Sequence, residues 1–545
     1  MLKRTLSRLK HRPFDLLVIG GTHLGSLIAW DASLRGLRVA LLATADFGSG
    51  NDPIGLSLIQ GGMRFLKGDS FAQARQMVKE RQAFLHIAPH LVRPLPQLLI
   101  SEKQGFQFAF PAMATAVKAN HLFNIKHNFG LDPSQFIDHG RPLTRRQVCK
   151  RNPWLKAKQQ ISAGLCWEEA QVLDSQRLQL SFLKSAVAAG AVAANYIRVE
   201  GLRTFRSQVI GVEAVDELSG EAFDIGARMV VDASDGAVDK YLSQEISLEP
   251  MPDISLVLLT RQLIAGQAFH VIKSDREEEK VVNRLSALSI VPWGDYSLVG
   301  PFKTQELIEW STQKLLKYVN ETLPSANLKG HDIYQILPQI ISSDSHYQSE
   351  PLLFSQTKLI DFSANGGLHG FISARNPDFE TSRYLAERTI DTVVAKLQRP
   401  AGQCRTTQNR AAGGQIVHWD TFELAVMEKW PIEMPPYQIR RYLQKYGSQY
   451  RDIFPILQET NINCQPISDD TAVTRAEVIF AIRHEMARKL TDIVMRRTDL
   501  GLSLDPSVST LEKTAQIFAD EHDWSKERLD QELDEALTSM STLRF

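Results

Sequence analysis

Cysteine is scarce in this sequence. Its 545 residues include only four, Cys149, Cys166, Cys404 and Cys464, which stand far apart and form no CxxC pair. That spacing argues against a thiolate zinc site and against a disulfide framework, so we expect no metal. It is typical of a protein from a reducing compartment, and we expect a cytoplasmic location.

The sequence also lacks an excess of charge of either sign. Lys and Arg number 62, and Asp and Glu number 62 as well, so no long-range field favours nucleic acid as a partner. No run reaches the roughly 18 apolar residues of a membrane-spanning helix. With 43% hydrophobic and 23% charged residues, the chain has an ordinary globular composition and enough length for two or more domains.

The N-terminus is short and basic, and it lacks the apolar core of a signal peptide. Residues 1–13 read MLKRTLSRLKHRP, with Leu2, Leu6 and Leu9 on one face of a potential helix. Two interpretations remain open: a frayed, solvated tail, which we favour, or a weak peripheral anchor on anionic lipid at the inner face of a membrane.

Residues 14–43 predict a strand, a helix and a second strand. The apolar run at 14–21 ends in two glycines, 22–36 is a helical stretch closed by Gly36, and 37–43 is apolar again. Parallel strands joined in this way form a doubly wound sheet, so we predict an α/β fold with a Rossmann-like dinucleotide-binding domain.

The rest of the chain predicts further helices, an antiparallel cap sheet and a helical C-terminus. We expect helices at 69–89, 176–189 and 475–497, another helix capped by Ser507 or Ser509, and a meander that returns through a strand at 229–233. Strand-like runs at 254–259 and 296–300 predict a substrate-side sheet. The predicted domains are a basic tail at 1–13, an oxidoreductase-like α/β domain at 14–398, a Pro- and Gly-rich linker at 399–436, and a C-terminal all-α domain at 437–545.

The glycine turn after the first strand reads Gly20-Gly21-Thr22-His23-Leu24-Gly25. A dinucleotide fingerprint has three glycines, which allow a tight turn, close approach to the pyrophosphate and close helix packing. Here Thr22 replaces the middle glycine. Ala43 stands where an acidic residue would bind the ribose hydroxyls.

Segments in the same order from residue 14 to about residue 525 resemble the FAD-dependent glycerol-3-phosphate dehydrogenases. They are DLLVIGG, RGLRVALL, DFGSG, LIQGGMRFL, IAPHLVRPLP, AAGAVAANYIRVEGL, VPWGDYSLVG, NGG at 365–367, YGSQY and EVIFAIRHEMARKLTDIVMRRTDLGL. The resemblance implies FAD as cofactor, a polyol phosphate as substrate, and hydride transfer from the C2 carbinol of sn-glycerol 3-phosphate to the flavin. Electrons would then pass to quinone or oxygen. A homo-oligomer stays open.

The resemblance also implies a set of cofactor-binding residues. These are Gly20, Gly21, Gly25, Gly61, Gly62, Arg64, Val199, Ala233, Gly366 and Gly367. At other positions this sequence differs from the family. Ser57 and Gln60 stand where the family has Lys and His, and Ser255 lies near the position of the family's substrate-side histidine. Residues 338–341, where the family has an Arg that clamps the substrate phosphate, contain no Arg. Leu368 replaces the Lys that follows the family's glycine pair.

Two residues are candidate replacements for the missing catalytic groups. His369 would serve as a base or flavin neighbour, and Arg375 as a phosphate clamp. The alternative, which we favour for both, is an exposed loop residue. His23 would contact a phosphate or cap the helix, whereas His86 and His90 are interpreted as structural.

Three functional hypotheses follow. The chain is an FAD oxidoreductase of the glycerol-3-phosphate dehydrogenase type, with that substrate or a related one. Alternatively, the chain keeps the fold but does not catalyse the reaction. The changed positions are those at which the family has the fixed cations and the proton acceptor that the reaction needs. Third, the chain is a structural partner that uses its helical C-terminal domain.

Overall fold

The structure is a computed structural model. It describes residues 2–49, 56–62, 71–102, 114–115, 117–118, 121, 128–153, 155, 161–234, 254–273, 288–303, 312–323, 326–340, 358–363, 367–375, 379–502 and 507–541. The α-helices are α1 Ser7–Lys10, α2 His23–Leu34, α3 Phe71–Ile87, α4 Arg145–Arg151, α5 Ser175–Ala188, α6 Thr312–Thr322, α7 Ser382–Leu397, α8 Trp419–Glu428, α9 Pro436–Tyr446, α10 Phe454–Glu459, α11 Arg475–His484, α12 Leu490–Asp492, α13 Val508–His522 and α14 Lys526–Ser541.

The strands belong to two sheets. They are β1 Phe14–Ile19, β2 Val39–Leu42, β3 Leu58–Ile59, β4 Val92–Glu102, β5 Arg141–Thr144, β6 Ile161–Val172, β7 Val192–Ala194, β8 Ile197–Phe205, β9 Gln208–Asp216, β10 Ala222–Asp232, β11 Ile254–Arg261, β12 Ala268–Lys273, β13 Leu288–Trp293, β14 Tyr296–Lys303, β15 Ile333–Ile340, β16 Lys358–Asp361 and β17 Phe371–Arg375.

The first sheet has the order β16-β17-β10-β1-β2-β7, and β8 and β9 extend from β10 as an antiparallel meander. Strands β17, β10, β1, β2 and β7 are mutually parallel. Every residue of β1 is buried, as expected of a parallel strand whose two faces are both covered. The predicted Rossmann-like α/β domain and its meander are confirmed.

The second sheet is a cap over the first domain, with the order β15-β11-β14-β13-β12-β4-β6-β3 and with β5 beside β6. One face packs on α4 and α6 through a core that includes Val148, Leu315 and Val319. The opposite face carries a second apolar cluster that includes Leu58 and Leu95. The predicted strands at 254–259 and 296–300 lie in this sheet as β11 and β14.

Helices α9–α14 form the C-terminal all-α domain around a core of its own. Ser507 is the N-cap of α13, because its side chain accepts a hydrogen bond from the Thr510 N–H. The segment predicted as a linker, 399–436, contains α8 and the buried residues Ala411 and Ile416. The exact domain boundary within that segment stays a prediction.

The helix predicted over 475–497 is interrupted, which corrects that expectation. Helix α11 ends at His484, Met486 has a positive φ of 55°, and a π-helical turn occupies Ile493–Arg497. The break places the Glu485 carboxylate against Arg177 at 2.6 and 2.8 Å and against Lys184 at 2.7 Å. Burial alone would raise the pKa of Glu485, but these two cations hold it well below its usual range.

Residues 2–10, here called the N-terminal strap, are packed, which corrects the interpretation as a frayed tail. The Leu2 N–H donates to the His484 carbonyl at 2.9 Å, and Leu2 and Leu9 are both buried. Arg4 forms an ion pair with Asp216 at the end of β9. The leucine face is therefore used inside the protein, which argues against the strap as a lipid anchor. Within the described residues, no helix is long and apolar enough to span a bilayer.

Candidate flavin and substrate site

Five parallel strands end at one edge of the first sheet, and the glycine turn, Ala43 and Ala233 follow three of them. Ile19 of β1 pairs with Asp232 of β10 and with Leu42 of β2, so Gly20, Ala233 and Ala43 lie side by side. In open α/β sheets, ligands bind in the crevice at this carboxyl edge.

The glycine turn leaves no space for side chains at its first and last positions. Gly20 has a φ of 125°, and a Cβ there would lie 2.3 Å from the Ala233 carbonyl oxygen. A Cβ on Gly25 would lie 2.0 Å from the Gly20 carbonyl oxygen. The turn therefore brings the N-terminus of α2 to the sheet edge, where backbone N–H groups and the helix dipole favour an anion.

Thr22 is the N-cap of α2. Its hydroxyl oxygen accepts a hydrogen bond from the Gly25 N–H at 3.1 Å and donates one to the Ala233 carbonyl at 3.1 Å. The residue is only 6% exposed. The side chain that replaces the middle glycine is thus turned inward, where it stabilises the helix start and ties β1 to β10.

The Gly21 peptide is covered by neighbouring chain. The Gly48 N–H donates to the Gly21 carbonyl at 2.9 Å, and the Gln179 side-chain amide donates to the same oxygen. A Cβ on Gly21 would lie 2.6 Å from the Ala43 Cβ and 3.2 Å from Phe47. The loop after β2 and helix α5 therefore pack directly on the glycine turn.

Asp46 anchors this loop to the C-terminal domain. Its carboxylate accepts hydrogen bonds from Arg496 and Arg497, each at 2.8 Å, and a further one from the Asn195 amide at 2.9 Å. Burial would raise the pKa of Asp46, but Arg497 and Arg496 outweigh it and lower that pKa. Because Asp46 is fully engaged, it cannot supply the ribose contact that Ala43 lacks.

Val199 lies near the same end of the edge. Strand β8 begins at Ile197, whose N–H donates to the Ala43 carbonyl at 2.8 Å. Val199 is two residues further along and is buried in the core under β1 and β2. The contact of Val199 with the cofactor stays a prediction.

Gly61 and Gly62 follow β3 and are buried. A Cβ on Gly61 would lie 2.3 Å from the Arg81 guanidinium, which forms a buried ion pair with Glu169. Burial raises the pKa of Glu169 despite the opposing Arg81 charge. Ser57 is buried with a positive φ of 53°. The predicted cofactor residue Arg64 lies outside the described residues.

Two changed substrate-side positions meet in the cap sheet. Ser255 of β11 pairs directly with Gln339 of β15, and Leu256 pairs with Pro338. On its other side Ser255 pairs with Lys303 of β14. The strand register thus makes Ser255 a neighbour of the 338–341 segment, which the sequence alone does not show. Ile341 itself lies outside the described residues.

Gly367 and His369 precede β17 at the amino edge of the first sheet, and their predicted roles at the cofactor and in catalysis stay predictions. Strands β16 and β17 form an antiparallel pair, with Asp361 opposite Ile372, so the turn between them lies at the amino edge of the first sheet. Gly366 is outside the described residues. The backbone of His369 is bonded to Ser207 and Val209, and its side chain lines a cavity of about 550 Å³ at that amino edge.

Arg375, by contrast, ends β17 at the carboxyl edge. Ser373 pairs with Asp232, which places Arg375 two residues beyond that level, beside the crevice. About 20 Å of extended chain separates it from His369. The residues that directly follow β17, 376–378, lie outside the described part of the chain.

Sequence reasoning missed a buried polar line on the cap sheet. His270 contacts Ser289 Oγ through Nδ1 and Gln97 Oε1 through Nε2, each at 2.7 Å. Gln97 donates its own amide to the Leu95 carbonyl at 2.9 Å, so its oxygen faces His270 and Nε2 carries the proton. A single histidine within an apolar strand gives no signal of this arrangement.

A continuous set of contacts joins this line to Gly61. His270 stacks on Trp167 with ring centroids 5.7 Å apart, and the Trp167 N–H donates to Glu169 at 3.0 Å. Glu169 in turn holds Arg81 against Gly61. Alternation along the strands puts Gln97, His270 and Ser289 on the sheet face of the Leu58 cluster, away from α4 and α6.

The other histidines singled out are structural. His23 Nε2 contacts the Ser175 carbonyl at 2.9 Å, inside the protein. His90 is fully buried, and burial, reinforced by Arg177 and Arg93, lowers its pKa to about 3. His86 is half-buried, and burial lowers its pKa as well. The described residues contain no cluster of three or more groups able to hold a metal.

Family models match most of the chain. A model described as FAD dependent oxidoreductase matches residues 15–353, and one described as the C-terminal domain of alpha-glycerophosphate oxidase matches residues 404–529. The chain belongs to the FAD-dependent oxidoreductase family.

The relatives that this oxidoreductase matches over nearly its full length are glycerol-3-phosphate dehydrogenases, which confirms the resemblance seen in the sequence. It is 25% identical to the glycerol-3-phosphate dehydrogenase of Synechocystis, with 97% of each chain covered. It is 24% identical to the aerobic glycerol-3-phosphate dehydrogenase of Staphylococcus aureus, with 96% of this chain and 93% of the relative covered.

Solved structures share the fold of this oxidoreductase. The glycerol-3-phosphate dehydrogenase of Bacillus halodurans complexed with FAD has a TM-score of 0.73 at 22% identity, with 98% of this chain and 96% of that chain covered. The FAD-bound L-alpha-glycerophosphate oxidase of Mycoplasma pneumoniae has a TM-score of 0.51 at 11% identity, covering 72% of this chain and 97% of that one.

The residues of the glycine turn fit FAD, the cofactor of the family. Gly20 and Gly25 leave no room for a Cβ against neighbouring backbone, so the turn is tight and lies at the N-terminus of α2, as a pyrophosphate site requires. Thr22 does not project into this site, because its hydroxyl is bonded inward. At the ribose end, Ala43 offers no acceptor beyond backbone.

Proposed function

We propose that this oxidoreductase oxidises the secondary alcohol of a phosphorylated polyol of the sn-glycerol 3-phosphate class. The observation that carries the proposal is the carboxyl edge, where the glycine turn follows β1 and Arg375 ends β17, with β10 between the two strands. Bound FAD supplies the hydride acceptor. Gly20, Gly25 and the N-terminus of α2 would hold its pyrophosphate.

Arg375 is the proposed clamp for the substrate phosphate. A dianionic ester needs a fixed cation, and a guanidinium meets a phosphate through two parallel hydrogen bonds. Arg375 is half-buried at the correct edge, and its Nε contacts Ser373 Oγ at 3.4 Å, which directs the side chain. By sequence, neither Ser255 nor Gln339 carries a charge that could pair with the phosphate.

His270 is the proposed acceptor of the hydroxyl proton, acting through Ser289. Because Nε2–H is held by Gln97, Nδ1 is the basic atom and accepts the Ser289 hydroxyl proton at 2.7 Å. A substrate alcohol that donates to Ser289 Oγ would thus lose its proton along this line. The group of choice for such a transfer near neutral pH is an imidazole.

The test is reduction of bound flavin by glycerol 3-phosphate, followed by turnover with an artificial electron acceptor. Arg375→Ala should raise KM for the phosphate ester roughly 10- to 100-fold, the effect of one charged hydrogen bond. His270→Asn should lower kcat and remove the acid limb of the pH profile. Arg388→Ala, an exposed change on α7, is the control.

A second function remains open, in which the fold is kept without the reaction. It is favoured by the uncharged Ser255–Gln339 pair at the substrate side. Flavin that binds but is never reduced by the phosphate ester would support this alternative. Equal reduction by unphosphorylated glycerol would contradict the role of Arg375 while keeping the oxidoreductase.

A further inference from the structure

A second cavity lies where three parts of the chain meet, far along the chain from the glycine turn. It is bounded by the turn after β9, by the start of α12 and by the helices α13 and α14, and its volume is about 330 Å³. The N-terminal strap passes beside it, since Arg4 pairs with Asp216 next to the β9 turn. We call it the junction pocket.

Positive charge dominates the junction pocket. Arg488, Lys489 and Arg528 line it, against the carboxylates of Glu217 and Glu535. Both carboxylates are already paired, Glu217 with Arg198 and Glu535 with Lys489 at 3.0 Å. Arg528 likewise forms an ion pair with Glu532.

Arg488 is the exception among these cations. Its backbone N–H donates to Asp492 at 2.7 Å, which fixes the residue, but within the described part of the chain its guanidinium forms no hydrogen bond and its Nε is buried. Burial, together with the like charge of Arg4, lowers the pKa of Arg488 against the opposing charges of Asp492 and Asp216. A buried Nε–H without an acceptor is unfavourable, and a bound anion would supply that acceptor.

An imidazole and an aromatic ring complete the pocket wall. His522 Nε2 is buried without a partner among the described residues, and burial and the charge of Arg488 lower the pKa of this ring. Trp524 stacks on Phe518 with centroids 4.4 Å apart, which makes it a rigid wall. The pocket thus presents the Arg488 guanidinium, the His522 imidazole and two further cations that are already paired.

We propose that the junction pocket binds a small phosphate ester or inorganic phosphate. A tetrahedral oxyanion offers oxygens in several directions, which suits donors that converge from α12, α13 and α14. The bound anion would satisfy Arg488 and His522 together. Because its donors lie on the helical domain and its rim includes the β9 turn, it would also tie the two domains together and raise the unfolding temperature.

The test is calorimetric titration of the full chain with inorganic phosphate at constant ionic strength, with thermal unfolding measured in parallel. Arg488→Gln should weaken phosphate binding at least about 10-fold and abolish the rise in unfolding temperature. His522→Gln should weaken binding by a smaller factor. Arg483→Gln, which removes a cation of α11 paired outside the pocket with Glu459 and Glu521, should bind like the parent.

Four results would overturn the proposal. The parent chain shows no saturable heat with phosphate in the millimolar range, or Arg488→Gln binds phosphate as the parent does, which would assign the heat to another site. Alternatively, chloride at matched ionic strength produces the same thermal shift, which would reduce the effect to screening. Acetate that competes as well as phosphate would show that charge, not the tetrahedral shape, is recognised, and would also count against it.

Discussion

Thr22 shows how one residue can depart from a fingerprint without disturbing the fold. Its hydroxyl is bonded to the Gly25 N–H and to the Ala233 carbonyl. Thr22→Ala should therefore lower the free energy of unfolding by about 1 kcal/mol, the usual effect of losing an N-cap. Chemical denaturation would measure this, and Thr22→Ser, which keeps the hydroxyl, should stay near the parent. Equal loss in both variants would mean that the methyl group matters instead.

Ala43 is the residue where cofactor affinity can be gained. It follows β2 at the carboxyl edge, and Asp46 nearby is already saturated by two arginines. Ala43→Glu should increase FAD affinity roughly 10-fold, because a carboxylate can accept hydrogen bonds from ribose hydroxyls. Quenching of flavin fluorescence would measure it. Ala45→Glu, which adds the same charge at an exposed position, should not reproduce the gain.

His90 makes stability depend on pH. Its pKa falls from 6.5 to about 3 on folding because it is fully buried. Between these two pH values the unfolded chain binds a proton at His90 and the folded chain does not. From this residue the free energy of unfolding should decrease by up to about 1.4 kcal/mol per pH unit as pH falls from 6.5 towards 3. Denaturation curves of parent and His90→Asn should diverge over that window. Curves that stay parallel would contradict the assignment.

Among the elements, the break between α11 and α12 contributes to stability because it positions a buried carboxylate. It delivers Glu485 into a buried site shared with Arg177 and Lys184. Glu485→Gln leaves two buried cations without a counter-charge and should lower the free energy of unfolding by about 3–5 kcal/mol. Glu521→Gln, at the more exposed Arg483 pair, should change it by less than about 1 kcal/mol. Thermal and chemical unfolding would compare the two.

Some elements of the fold could be predicted from the sequence, and the position of others could not. The β1–α2–β2 unit and the Ser507 cap were predictable because local periodicity and capping chemistry specify them. The position of Gly367 and His369 in the sheet was not predictable from the sequence, because a similarity of three residues does not determine strand register. Only the pairing of β16 with β17 shows which edge of the sheet they occupy. The Gln97–His270–Ser289 line could not be predicted either, because Gln97 and His270, which are in contact, lie 173 positions apart in the sequence.

For the whole molecule, the N-terminal strap is a structural component. Leu2 is 2% exposed and reaches the helical domain at His484. Leu2→Ala should lower the free energy of unfolding by about 2–4 kcal/mol, as a buried leucine truncation does. Lys3→Ala next to it, at an exposed position, should stay within about 0.5 kcal/mol. If the strap were a solvated tail, neither change would alter the unfolding transition.

The contact between Asp46 and the arginine pair of the helical domain has a consequence for the order of events during synthesis. The loop that covers the glycine turn is held by side chains 450 and 451 positions further along the chain. Until Arg496 and Arg497 have been synthesised and have folded against it, that loop lacks both of its ion pairs, although it keeps its bonds to Asn195 and Gly21. We therefore expect firm cofactor binding to follow the synthesis of the helical domain, and a message cut short before these two codons should yield protein that holds flavin more weakly.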